Sequence, residues 1–146
     1  MEFADAVAIA ARAYGASRDR SGGLLLAHGV NVAQAVGPNA TPTALNAAIL
    51  HDVLEDTDWS IDDLARRGVD TVVCEVVELL TRQSGETYID SIRRICGAPG
   101  LVGETARLVK VADLTVSFDR ADSDTLRERY EQSLPLLQGA LAPAGA

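Results

Sequence analysis

Apolar residues return at three- and four-residue spacing in one segment after another, and each segment stops at glycine, proline or a polar turn. Phe3, Val7, Ala10, Ala11 and Tyr14 share one helical face. The run LLLAHGVNVAQAV, residues 24–36, is a second helix, ended by GPN. Thr41 before Pro42 supplies an N-cap and a first-turn proline for a third, read as running to about Asp56. Ser60 caps a short helix over 61–68. Residues 69–82 are rich enough in β-branched side chains for a strand, but Val72, Val73, Val76, Val77 and Leu80 keep helical spacing. Further helices are expected from Glu86 to about Cys96, over 101–119 and over 122–140. Pro135 should kink the last one or end it locally. Such a pattern predicts an all-α, single-domain bundle over residues 1–141, with a frayed tail at 142–146.

Aromatic residues are only 4% of the 146, so aliphatic side chains and alanines must fill the core. Hydrophobic residues at 47% are enough for an independent domain of this length. The formal charge of −8 argues against an extended nucleic-acid or anionic-membrane surface. A small anionic substrate stays compatible, because a bound cation and a few arginines reverse the field locally. No charge-free apolar run reaches membrane-spanning length, and the acid-bearing first segment reads as an amphipathic helix. Cys74 and Cys96 read as reduced thiols of a cytoplasmic protein, monomeric or homodimeric.

Charge placed inside apolar helices carries the functional signal. The stretch ALNAAILHDVLEDTDWS, residues 44–60, ends an apolar run with His51, Asp52, Glu55, Asp56 and Asp58. Acids at a helix C-terminus oppose its dipole. Clustered carboxylates in an apolar setting repel unless a proton or cation sits among them. Imidazole and carboxylate together suit Mn, Fe or Zn. Two further residues sit in apolar helices, His28 and Asp113. Taken singly, each has a bland alternative: His28 as a core histidine, Asp113 as the ion-pair partner of Lys110, the 55–58 acids as a solvated helix end. Arg18 and Arg20 in the loop GASRDRSGG, with Arg82, Tyr88, Lys110 and Ser117, are candidates to meet phosphate or substrate, and otherwise solvated or structural. Trp59 reads as packing.

These segments resemble a known family. AAILHDVLEDT is nearly the Ala-Ala-Leu-Leu-His-Asp-Val-x-Glu-Asp-Thr of the HD-domain metal-dependent phosphohydrolases, in the branch holding the RelA/SpoT hydrolase domain and its small stand-alone relatives. RSGGLLLAH, LLTRQSGETYIDSI, LVKVADLTVSF and LRERYEQSLPLL resemble successive segments of that branch. The resemblance implies an HD-type bundle. It implies His28, His51, Asp52 and Asp113 as ligands of one divalent ion, Mn²⁺ first, with Fe²⁺, Zn²⁺ or Mg²⁺ as alternatives. It implies Glu55 and Asp56 as the catalytic acidic pair, and hydrolysis of a small phosphorylated nucleotide such as (p)ppGpp. The chain departs from the pattern at Tyr14, where relatives carry histidine, at Arg18-Asp19-Arg20 for Arg-Arg-Lys, at Leu24-Leu25 for Pro-Tyr, and at Ser117 for asparagine. Those departures motivate the alternative, a regulatory module that keeps the ligands with little turnover.

Overall fold

The computed structural model describes residues 1–119 and 124–141; the expected frayed tail at 142–146 lies outside them. The described residues are helical, with no strand. The elements are α1 (Phe3–Tyr14), α2 (Leu25–Val36), a 3₁₀ turn (Gly37–Asn39), α3 (Pro42–Leu50), α4 (Val53–Asp56), α5 (Ile61–Arg66), α6 (Thr71–Leu80), α7 (Tyr88–Gly97), α8 (Gly100–Asp119) and α9 (Asp124–Leu141).

The caps behave as side-chain chemistry dictates. Thr41 Oγ1 accepts from the Ala44 amide at 3.1 Å, with Pro42 opening α3. Ser60 with Asp63, and Thr87 with Asp90, form reciprocal capping boxes on α5 and α7. The second box corrects one expectation: α7 opens at Tyr88 with Thr87 as its cap, not at Glu86. Glu86 is drawn instead to Arg94, at 2.8 Å. Pro135 does not end α9, which continues to Leu141.

α3 is the centre of the bundle. Ala44, Ala47, Ala48, Ile49 and Leu50 are buried, and α1, α2, α6 and α8 all pack against this helix. Alanines let the neighbours approach closely. Gly29 of α2 lies close against α3: a Cβ there would stand 3.0 Å from the Ile49 carbonyl oxygen. The absence of that carbon lays α2 against α3 just where each carries a histidine. α9 closes the bundle over α7 and α8. Trp59 packs against the core, with the Arg67 guanidinium 4.1 Å from its ring centre. Cys74 and Cys96 are free thiols.

The expected continuous helix from Thr41 to Asp56 is broken. α3 stops at Leu50, Asp52 takes φ −97°, ψ 0°, and α4 restarts at Val53. No glycine or proline causes this. Ala48 O, which would accept the Asp52 amide in a continuous helix, instead accepts from His51, from Nδ1 at 2.6 Å and from the backbone amide at 3.5 Å.

Candidate metal centre

Three elements meet at one end of the bundle. α2 brings His28, the α3–α4 break brings His51 and Asp52, and α8 brings Asp113. Donor atoms of His28, His51 and Asp113 all lie within 4.8 Å of one another. His28 Nε2 is 2.9 Å from Asp113 Oδ1 and 3.9 Å from Asp52 Oδ2. His51 Nε2 is 3.1 Å from Asp52 Oδ2 and 3.6 Å from Asp113 Oδ1.

The His51 ring is diagnostic. A carbonyl only accepts, so its contact with Ala48 O puts the proton on Nδ1. Nε2 of the neutral ring then carries a lone pair, turned toward two carboxylates. It is buried and makes no hydrogen bond. Such a group is costly unless a proton or a cation joins it. Burial alone would lower the basicity of His51, but the Asp52 and Asp113 charges outweigh it and raise its pKa well above the usual value. Burial likewise opposes ionisation of Asp113, yet Lys110 and then His51 hold its pKa well below the carboxylate range. Asp52 is lowered against its burial, chiefly by His51.

A divalent ion fits this donor set. Donors about 2.1 Å from a common centre stand about 3.0–3.4 Å apart in octahedral or tetrahedral arrangements, and the separations above bracket that range. Two imidazoles and carboxylate oxygens suit Mn²⁺, Fe²⁺ or Zn²⁺. His51 also has the outer hydrogen bond to a backbone carbonyl that ligating histidines make.

Above the ligands opens a cavity of about 280 Å³. It is lined by His28, Asp52, Asp56, Asp113 and Ser117, with Asp19 and Arg20 of the 15–24 loop and Leu25 at the start of α2. Asp56 has its pKa pushed up to about 6 by partial burial, then by the Asp52 and Glu55 charges. Glu55 is turned differently: its Oε1 accepts the Arg82 amide at 2.7 Å, tying α4 to the segment after α6. Glu55 and Asp56 thus share α4 but not surroundings.

The remaining candidates divide. Arg20 lines the cavity. Arg18 borders an adjoining hollow with Arg20 and Asp56, and its Nη1 donates to Gly22 O at 2.7 Å within the same loop. Asp19, the acid that departs from the family's Arg-Arg-Lys run, has a local role. Its Oδ1 accepts from the Ser21 amide and hydroxyl and the Gly23 amide, at 2.9, 2.6 and 3.1 Å. Gly22, at φ 88°, completes that tight turn. Lys110 Nζ sits 3.2 Å from Asp113 Oδ2, and Ser117 Oγ lies 3.4 Å from Asp113 Oδ1. Tyr88 lies beyond, with Lys110 5.3 Å and Arg129 4.6 Å from its ring centre, around a second cavity of about 140 Å³. Arg82 is exposed, and Glu55 meets its backbone.

Three participants escape sequence reading. Tyr14 sits under the ligands, donating to Ile49 O at 3.0 Å and accepting from the Asp52 amide at 3.2 Å. The sequence marks it only as a polar atom on the inner face of α1 and as a departure from the family's histidine; its contacts at the helix break are not legible there. Arg94 binds Glu86 and the carbonyls of Leu79 and Thr81. Arg129 comes from α9, at a spacing that gives no local hint.

No family model matches the chain, and no curated protein sequence matches it. Among solved structures it is similar to one described as a metazoan ortholog of SpoT that hydrolyzes ppGpp and plays a role in starvation responses. The match has a TM-score of 0.67 at 24% identity, over 95% of this chain and 82% of that one. The chain therefore has the all-α fold of that hydrolase, the HD-type bundle.

Proposed function

We propose that this chain is a metal-dependent phosphohydrolase acting on a phosphoester or pyrophosphate ester of a small nucleotide, with the 3′-pyrophosphate of (p)ppGpp as first candidate. The observation that carries the reading is the orphaned His51 Nε2, facing Asp52 and Asp113 beneath a cavity that also holds Asp56 and Arg20. The fold shared with a protein described as hydrolyzing ppGpp supports it.

His28, His51, Asp52 and Asp113 would hold the ion, Mn²⁺ first among the candidates. A divalent ion there supplies Lewis-acid polarisation of a phosphoryl oxygen and an acidified water. Asp56, ionised above pH about 6 before the cation arrives, is placed to take the proton of the attacking water. Glu55, with one oxygen held by the Arg82 amide, would complete the acidic pair through its charge on Asp56. Arg20 supplies positive charge at the cavity wall for phosphate oxygens, and Arg18 braces the loop that carries it. Ser117 and Lys110 hold Asp113 by a hydrogen bond each, and the Lys110 ammonium keeps further N–H donors for a phosphate oxygen. Tyr88 and Arg82 border the path outward. Attack forms a new O–P bond and breaks the ester P–O bond, and the leaving oxygen takes a proton.

No helix among the described residues is long and apolar enough to cross a membrane. The free thiols of Cys74 and Cys96 are in keeping with a cytoplasmic setting, and a monomer or homodimer is the assembly proposed.

The test is phosphate or pyrophosphate release with Mn²⁺ from a panel of ppGpp, pppGpp, NADPH, dNTPs and 3′,5′-bisphosphorylated nucleotides, beside Asp52→Ala. Release from ppGpp, lost in the variant, is the expected result. Release from another member alone would make this a hydrolase of different specificity. Silence across the panel with stoichiometric metal would leave a binding module.

A further inference from the structure

The two central candidate ligands, His51 and Asp52, are neighbours in sequence. On a continuous helix, adjacent side chains diverge by about 100° around the axis. The break between α3 and α4 is what lets both turn to one point, as their 3.1 Å approach shows. Breaking a helix in a buried place frees backbone groups that must find partners. Ala48 O takes the His51 ring proton. The Asp52 amide and the Ile49 carbonyl are also freed, and one atom serves both: Tyr14 Oη accepts from the first and donates to the second. Tyr14 is 1% exposed, so water does not offer a substitute. Its ionisation is strongly opposed, first by burial and then by the Asp52 charge, so it stays a neutral phenol able to donate and accept at once.

We propose that Tyr14 is a positioning residue of the metal centre: its phenol fixes the α3–α4 break and thereby aims Asp52 at the ion held by His28, His51 and Asp113. The proposal rests on the metal-centre reading above and adds a residue from a helix that supplies no ligand. It also gives a physical meaning to the one polar side chain on the inner face of α1.

Mn²⁺ titration of metal-free protein by calorimetry tests this without reference to turnover. Tyr14→Phe keeps the ring and removes the shared atom. Its Mn²⁺ Kd should rise about tenfold or more, the range seen when outer partners of ligands are removed. A role in packing alone would lower the Tm of the metal-free protein and leave Kd in place. Coupling to Asp52 is the sharper readout: Tyr14→Phe placed on Asp52→Ala should weaken binding no further than Asp52→Ala alone. A Kd for Tyr14→Phe within twofold of wild type, or additive effects in the double variant, would overturn the proposal. Wild-type protein that binds no Mn²⁺ would overturn it together with the metal-centre reading, whereas wild-type binding with an indifferent Tyr14→Phe overturns this step alone. Should Tyr14→Phe fail to fold, amide exchange in the wild type decides. The Asp52 N–H should be strongly protected, and exchange as fast as an exposed amide would sink the idea.

Discussion

Two clusters in this bundle bring acids and bases together, and they are built in opposite ways. At Glu86 and Arg94 every strong group is answered within the protein. The guanidinium reaches both oxygens of Glu86 and the carbonyls of Leu79 and Thr81, and Glu86 also accepts the Gln83 amide. At His28, His51, Asp52 and Asp113 the groups crowd together and the ledger stays open: two acids and two imidazoles converge, Lys110 answers one acid, and His51 Nε2 answers none by hydrogen bond. Closed polar networks hold a loop. An open one in a buried place keeps room for something from outside.

The comparison breaks if the open cluster proves to be structural. His51→Ala should abolish stoichiometric divalent metal in purified protein and reduce any metal-dependent turnover by about 10³-fold or more, the scale expected when a catalytic ion is lost. Elemental analysis checks the first and the substrate panel the second. Metal retained at full occupancy would show the cluster closed in some other way.

Arg94→Ala probes the closed cluster. It should lower stability by about 2 kcal/mol, because two backbone carbonyls and Glu86 lose a charged donor, and leave the Mn²⁺ Kd within twofold. Urea denaturation beside metal titration separates the two. Glu86 has its pKa held to about 2 by the Arg94 hydrogen bonds and then the Gln83 amide. Its contribution is present above the ordinary glutamate pKa and fades as pH falls toward 2.

Asp56 sharpens the contrast from the other side. Its folded pKa of about 6 stands above the unfolded value of about 3.9, so the folded state binds the proton more tightly. The stability this gives is complete below pH 4 and is lost as pH rises through 6. In metal-free protein, Asp56→Asn should therefore gain at pH 7–8 relative to pH 4, by about 1 kcal/mol after discounting for the group's exposure. Thermal denaturation across pH reads this, and a flat difference would refute it. Ser117→Ala should have the smallest effect. Its contact with Asp113 is long, at 3.4 Å, and the Mn²⁺ Kd should move less than threefold.

Much of this was legible in the residues themselves. Apolar spacing marked the helices, Thr41-Pro42 and Ser60 marked two starts, and histidines and aspartates inside apolar runs marked the groups that converge. What escaped depends on partners distant in sequence. The stretch from Leu50 to Asp56 contains no stop signal, and a phenol 38 residues away meets the amide at the break. Glu86 looked like the first residue of α7 because Arg94, eight residues on, was not visible as its partner. Asp19 looked only like a departure from the family's Arg-Arg-Lys run because its three loop donors follow from a turn geometry that single residues do not announce.

Gly29 carries a consequence for how such a protein changes over generations. The gap between His28 and His51 depends on a carbon that is absent, since a Cβ at 29 would press on the Ile49 carbonyl at 3.0 Å. One mutation to alanine would wedge α2 away from α3 by a few tenths of an ångström, little enough for the bundle to survive and enough to loosen the grip on an ion. On the metal-centre reading, a lineage could thus lose the site, and regain it, through a single methyl group that is no part of it.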